Sequence, residues 1–327
     1  MKVYFTFDYE LFLGANTGSV ENCLLKPTQA LMDIARRHKC QFTFFVDCGY
    51  LCKLKKGAAT SPALAKDWEF VTQQLRELHQ EGHSLQLHIH PHWEDSFYDG
   101  QKWVMQTSRY RLHNFSEPEI QGIFKKYHQV LIELTGQRAT AYRAGGWCIQ
   151  PFIKVRSALL QENILIDSTV YRGGYLANGS HYFDFRNAPK SDLWQFDEDP
   201  TISTANGVFL EIPMSSLWIG PWHYWRIAFK KFFCRNHSNR IFGDGQAVGS
   251  GLEAKLRLLM WGGVSPTSVD GEKGFTLRKT LGRLLKEGQK QLVAIGHPKA
   301  LSPRSLQVME QFIVECKERV EGFYSLK

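Results

Sequence analysis

The run Val3-Tyr4-Phe5-Thr6-Phe7, followed by an amphipathic helix opening at Pro27 and a second apolar run from Gln41 to Val46, constrains this chain most. Both runs are rich in β-branched and aromatic residues and read as buried strands. The helix between them carries Leu31, Ile34 and Ala35 on one side. It ends in Arg36-Arg37-His38-Lys39, cations that favour a helix C-terminus. Strand, helix, strand is the βαβ unit of a parallel sheet. Lys53 to Ser61 reads as a basic loop. A helix from about Ser61 to His79, stopped at Gly82, leads to a third strand, Ser84 to Ile89. A chain of 327 residues can bury one α/β barrel or two smaller domains.

Parallel α/β folds gather their chemistry at the C-terminal ends of the strands. The first strand ends in Asp8-Tyr9-Glu10, whose acids point the same way in a strand. The third ends in His88-Ile89-His90-Pro91-His92-Trp93, and four of the twelve histidines fall between His83 and His92. His88 and His92 share a face in a strand or in a first helical turn, whereas His90 joins them only in a strand. Two imidazoles so spaced, with one acid from elsewhere, suit a divalent metal, while a second acid stays free as a base. The plainer reading is a polar histidine-rich loop beside solvated acids.

Glu94 to Asn114 is a long loop bearing Phe97, Tyr98, Trp103 and Tyr110, of the kind that forms lids or binding edges. Ser116-Glu117-Pro118-Glu119 opens a helix to about Thr135. Arg143-Ala144-Gly145-Gly146-Trp147 then forms either a simple turn or a close backbone approach to a ligand. Ile164 to Ile166 is a strand ending in Asp167-Ser168. A late strand, Gln291 to Ile295, presents Gly296-His297-Pro298. Ser302-Pro303 starts the last helix, to about Val320, and Phe323-Tyr324-Ser325 reads as a closing strand.

Composition is that of a globular protein, 43% hydrophobic and 22% charged. The net charge of +8 suits an anionic partner without identifying one. Seven cysteines without metal-type pairing, and a first strand that begins at residue 3, lead us to expect reduced thiols, no leader and a cytoplasmic location. No apolar run reaches the roughly 20 residues that span a bilayer.

Taken in order, Thr6-Phe7-Asp8-x-Glu10, Gly82-His83-x4-His88-x3-His92, Arg143-x3-Trp147, Asp167-Ser168 and Ile295-Gly296-His297 resemble the polysaccharide deacetylase family, carbohydrate esterase family 4. The resemblance runs from residue 3 to about 299, the insertion excepted. It implies a single domain over 1-327, a distorted (β/α) barrel, and metal-dependent removal of acetyl groups from N-acetylated sugars. By that resemblance Asp8 is the general base, and Glu10, His88 and His92 hold one divalent ion, zinc by expectation. Arg143 orients Asp8, and His297 is the acid that protonates the leaving amine, tuned by Asp167. Backbone beside Gly146 and Trp147 completes an oxyanion site, and the Trp147 indole walls the sugar, with Trp93 as a further substrate contact. The sequence departs from the family in two places: Asp-Tyr-Glu replaces adjacent aspartates, and Gly145-Gly146 replaces a proline-containing motif.

The insertion, approximately 171-263, is aromatic and basic. Within it Trp218, Trp222, Trp225, Phe229 and Phe232 recur at helical spacing over a helix 221-235, with Arg226, Lys230, Lys231 and Arg235 as the basic complement. Such a stripe either packs into the domain or lies on an anionic membrane surface through residues 217-240. Ile241 to Ser250, with three glycines, reads as mobile. The expected substrate is a surface-polysaccharide or glycolipid precursor, nucleotide- or lipid-linked. The competing readings are hydrolysis of another small amide and a non-catalytic carbohydrate-binding protein. No recognisable motif for nucleic acid is present.

Overall fold

The structure is a computed structural model that describes all residues except 234-236, 248-251, 317-318 and 324-327. The elements come in the order β1 (Lys2–Tyr9), α1 (Lys26–His38), β2 (Thr43–Asp47), α2 (Cys48–Ala58), α3 (Pro62–Gln80) and β3 (Ser84–Ile89). A small hairpin, β4 (Phe97–Tyr98) and β5 (Trp103–Val104), precedes α4 (Glu117–Thr135), β6 (Ala141–Ala144), α5 (Ile153–Gln161) and β7 (Ile166–Asp167). The insertion contributes β8 (Tyr175–Asn178), β9 (His181–Asp184), β10 (Trp194–Phe196), β11 (Phe209–Glu211), β12 (Ser216–Ile219), α6 (Pro221–Phe233) and α7 (Leu252–Trp261). The chain closes with β13 (Gly263–Pro266), α8 (Thr276–Lys286), β14 (Gln291–Gly296) and α9 (Pro303–Cys316).

One eight-stranded sheet, ordered β10-β11-β7-β6-β3-β2-β1-β14, organises the molecule, and only the β10-β11 pair is antiparallel. Between its two edges, Met214 N–H donates to the Val170 carbonyl and Ser215 N–H to that of Val293, so residues 212-216 draw the sheet round into a barrel. β1, β2 and β3 sit side by side at the centre and are buried on both faces apart from Lys2. Phe7 stacks on Phe44 at 5.5 Å, and Phe5 meets Phe42 edge-on. Each such ring contributes roughly 2 kcal/mol by leaving water.

The basic loop expected at 53-61 is instead the end of α2. Asp47 caps that helix, accepting from Tyr50 N–H, and Tyr50, Leu51 and Leu54 form its buried face. The α3 start and the Ser116/Glu119 capping box of α4 lie where the sequence puts them. α9 is described over Pro303–Cys316, Val320 beyond it forms an isolated bridge with Val3 rather than helix, and the closing strand expected over Phe323-Tyr324-Ser325 falls largely outside the described residues. Of the segment expected to be mobile, residues 241-247 are tied down by backbone bonds from Phe242 to Leu301, Gly243 to Lys299 and Gln246 to Asn16. The six described cysteines are free thiols, and among the described residues no helix is long and apolar enough to cross a membrane.

Candidate active site

The C-terminal ends of β1, β3, β6 and β14 bring together Asp8, Glu10, His88, His90, Arg143 and His297. Asp8 and Glu10 project to the same side because β1 stays extended to Tyr9, and both are buried. Arg143, fully buried on β6, donates Nη1 to Asp8 Oδ1 at 2.6 Å. Its other donors reach the Ser168 carbonyl, Ser168 Oγ and Thr6 Oγ1, so the guanidinium is fixed on every side. The ring of Phe45 lies 4.0 Å beneath it.

Three donor atoms converge here. His88 Nε2 lies 3.1 Å from His90 Nε2 and 3.3 Å from Glu10 Oε2, and His90 Nε2 lies 2.6 Å from the same oxygen. Glu10 Oε2 is buried without an aligned hydrogen bond, while His88 Nε2 and His90 Nε2 lie within hydrogen-bond distance of each other. A tetrahedral zinc holds its nitrogen and oxygen ligands about 3.3 Å apart, so the set suits such an ion. His88 Nδ1 is 2.8 Å from the Arg143 carbonyl, which fixes that nitrogen as the donor, so that in the neutral ring the lone pair sits on Nε2. Gly145 makes room for the second ring, because a Cβ there would sit 2.6 Å from His90 Nδ1.

The site gathers buried charges of both signs. Burial disfavours the ionised Glu10, yet Lys299 and the two imidazoles hold it well below the usual carboxylate range. Burial likewise opposes charge on His88, but Asp8 and Glu10 outweigh it and raise its pKa to about 9. Lys299, itself buried, places Nζ 2.9 Å from Glu10 Oε1.

His92, expected beside His88, lies outside this cluster, and His90 stands in its place. The reason is backbone: β3 runs extended to His90, so positions 88 and 90 share a side. Pro91–Glu94 then turn into a 3-10 helix that carries position 92 away. The His92 ring is stacked parallel on Tyr110 at 5.5 Å and stands 5.3 Å from His90, with both nitrogens buried and without partners.

His297 directs Nε2 into the site, 3.7 Å from Asp8 Oδ2 and 3.8 Å from Glu10 Oε1. Its Nδ1 rests 2.8 Å from Asp270 Oδ2, and Asp270 rather than Asp167 is the acid behind it. Asp167 instead accepts from Thr169 Oγ1 at 2.7 Å and faces Glu211, where burial raises both carboxyl pKa values, Glu211 the further. Thr169 in turn receives the Ala144 N–H, so Asp167 braces the turn after β6.

Trp93 is not a substrate contact. Its indole is wholly buried and donates to Asp47 Oδ2 at 2.7 Å, because the same 3-10 turn points it into the core. Trp147 is half-buried at the rim, boxed by Tyr171 and Phe183 at 5.2 and 5.7 Å. Gly146 has φ +59, and a Cβ there would meet Tyr110 Oη at 2.7 Å. The long loop thus reaches the site through Tyr110, and His181 from the β8-β9 hairpin lies 4.0 Å from that ring. The sequence reading admitted His90 only in a strand, and Asp270, Lys299 and His181 escaped it. The first two of these had a signal: an acid just beyond a strand and a cation two residues after His297. His181 had none.

No family model matches the sequence, and no curated protein does. Among solved structures, a Mycobacterium smegmatis protein assigned as a polysaccharide deacetylase aligns over 99% of this chain and 87% of its own, at TM-score 0.54 and 16% identity. The allantoinase PuuE aligns over 98% and 85%, at TM-score 0.47 and 13% identity. The peptidoglycan deacetylase PdaC of Bacillus subtilis aligns over 99% and 89%, at TM-score 0.38 and 12% identity. At such identities the likeness to the first is one of fold, the α/β barrel of the polysaccharide deacetylases.

Proposed function

We propose that this protein is a metal-dependent hydrolase that removes the N-acetyl group from a sugar carried on a surface-polysaccharide or glycolipid precursor. The observation that carries the reading is the convergence of Glu10 Oε2, His88 Nε2 and His90 Nε2 beside a separate carboxylate, Asp8, and opposite an imidazole, His297. Glu10, His88 and His90 would hold the ion, zinc by its preference for such donors. When bound, it supplies a Lewis acid that polarises a carbonyl and acidifies water.

The chain's own groups divide the proton work. Asp8 is aimed by Arg143 through Oδ1, leaving Oδ2 to take a proton from the attacking water. His297, its Nδ1–H on Asp270, presents Nε2 as the acid for the departing nitrogen. Burial works against its charge, but Asp270 and the site carboxylates raise its pKa, which favours the protonated form that a general acid needs. Water adds to the carbonyl carbon, the C–N bond breaks, and acetate and an amine leave. Trp147 and Tyr110 border the space that a sugar ring would enter.

One observation favours a second ligand arrangement, with His92 in place of His90: both His92 nitrogens are buried without partners. The test of function is acetate release from nucleotide- and lipid-linked N-acetyl sugars, compared with simple amides. Asp8→Asn should keep the metal and lose activity by about 10²-fold or more. Acetate release by that variant at the wild-type rate would remove Asp8 as base, and turnover of simple amides alone would leave an amidase without sugar specificity.

A further inference from the structure

The aromatic stripe of the insertion is not core. Trp222 is 82% exposed, Trp218 and Phe229 59%, and Trp225 46%; the adjoining α7 adds Trp261 at 72%, Met260 at 62% and Leu256 at 46%. The Phe232 side chain lies outside the described residues. α6 is held by a different face, with His223 against Phe275 at 4.1 Å and Arg226 over the same ring. Trp225 Nε1 donates to the Leu259 carbonyl and locks α6 to α7. The hairpin is therefore a built platform whose outer side is apolar, and soluble surfaces rarely leave such a patch without a use.

Its charge selects what covers it. From Gly220 to Trp261 the sequence has seven Lys and Arg against two Asp and Glu, and Arg226, Lys255 and Arg257 are exposed beside the aromatic side chains. One of the two acids, Asp244, is occupied with Ser19 and Asn22. A second copy of this chain would set basic surface against basic surface, whereas an anionic bilayer supplies both apolar depth and negative headgroups. Trp is the residue that settles at that boundary.

We infer that the outer face of α6 and α7, with Trp218 at its edge, docks on an anionic membrane surface and brings the site to a lipid-linked substrate. The step from docking to substrate rests on the deacetylase reading; the docking itself does not. Beyond α6, residues 242-246 bond to Leu301, Lys299 and Asn16, and Lys299 holds Glu10, so the same insertion that carries the patch also walls the site.

The experiment is co-sedimentation of the full chain with vesicles of phosphatidylcholine alone or with 30% phosphatidylglycerol (about that anionic fraction gives a strong surface field), read together with tryptophan emission. Binding and a blue shift with the anionic vesicles only are expected. A Trp222→Ser, Met260→Ser, Trp261→Ser variant should bind at least tenfold more weakly, with an unchanged circular dichroism spectrum and unchanged turnover of a water-soluble substrate. No binding of the wild type to anionic vesicles overturns the docking surface, as does a wild-type dimer that the triple variant dissolves. Binding without preferential turnover of lipid-linked sugar leaves the docking and overturns only the substrate.

Discussion

His297 stands on Asp270: Nδ1 lies 2.8 Å from one carboxylate oxygen, and the His297 backbone N–H donates to the other at 2.8 Å. Two bonds to one side chain fix both the ring and the peptide that carries it. Because Asp270 raises the His297 pKa, Asp270→Asn should lower it and move the basic limb of the kcat/KM profile to lower pH. Activity above neutrality should fall about tenfold, in the range that a weakened general acid costs. A pH-rate profile decides, and a basic limb that does not move would remove Asp270 from this role.

Lys299 sets the charge of the site from behind. Its Nζ pairs with Glu10 Oε1 while Glu10 Oε2 faces the histidines. Lys299→Met should leave Glu10 buried without that cation and cost the metal-free protein about 3 kcal/mol. Added zinc should recover more stability in this variant than in wild type, since the competing cation is gone. Thermal unfolding with and without chelator measures both, and equal shifts in the two proteins would contradict the competition.

His83 belongs to the core rather than to the site. Its Nδ1 accepts the Phe42 N–H at 3.0 Å, and its ring stacks on Phe42. Burial lowers its pKa to about 4 from an ordinary 6.5, so the folded state keeps it neutral while the unfolded chain takes up a proton. The resulting stability is present above pH 6.5 and is lost as pH falls toward 4, by up to about 3 kcal/mol. Urea unfolding against pH should show this slope in wild type and lose it in His83→Gln. A slope unchanged by the substitution would contradict the assignment.

Arg143 is a single point of failure. With the guanidinium removed, Asp8 is left buried and without its cation, so Arg143→Met should cost about 4 kcal/mol as well as activity. Lys at this position should recover part of the stability but not the four-way hydrogen bonding that a planar fork supplies. Chemical denaturation of both variants checks the order, and a lysine variant as stable as wild type would contradict it.

Strongly apolar segments were legible: β3 and β14 lie where the pattern puts them, and the Asp8, His88 and His297 rim follows from strand ends. α2 was not, because its three lysines and Gly57 mask a buried face confined to its first two turns, Cys48 to Leu54. The choice between His90 and His92 turns on where Pro91 ends the strand, a single-residue matter that spacing cannot settle. Asp167 ends a short strand and Asp270 follows one, and only the sheet order, which sets β14 beside β1 and β7 beyond β6, shows which acid reaches His297. Trp93 and the α6 stripe reversed the usual inference from aromatic residues, since one was expected as a substrate contact and is core, while the other lies on the surface.

The most direct test is zinc titration of metal-stripped wild type, Glu10→Ala, His90→Ala and His92→Ala, read by equilibrium dialysis and elemental analysis. The account predicts one tight equivalent in wild type, its loss in Glu10→Ala and His90→Ala, and its retention in His92→Ala. Retention in His90→Ala with loss in His92→Ala would give the ligand role to His92, and no binding by wild type would contradict the metal centre itself.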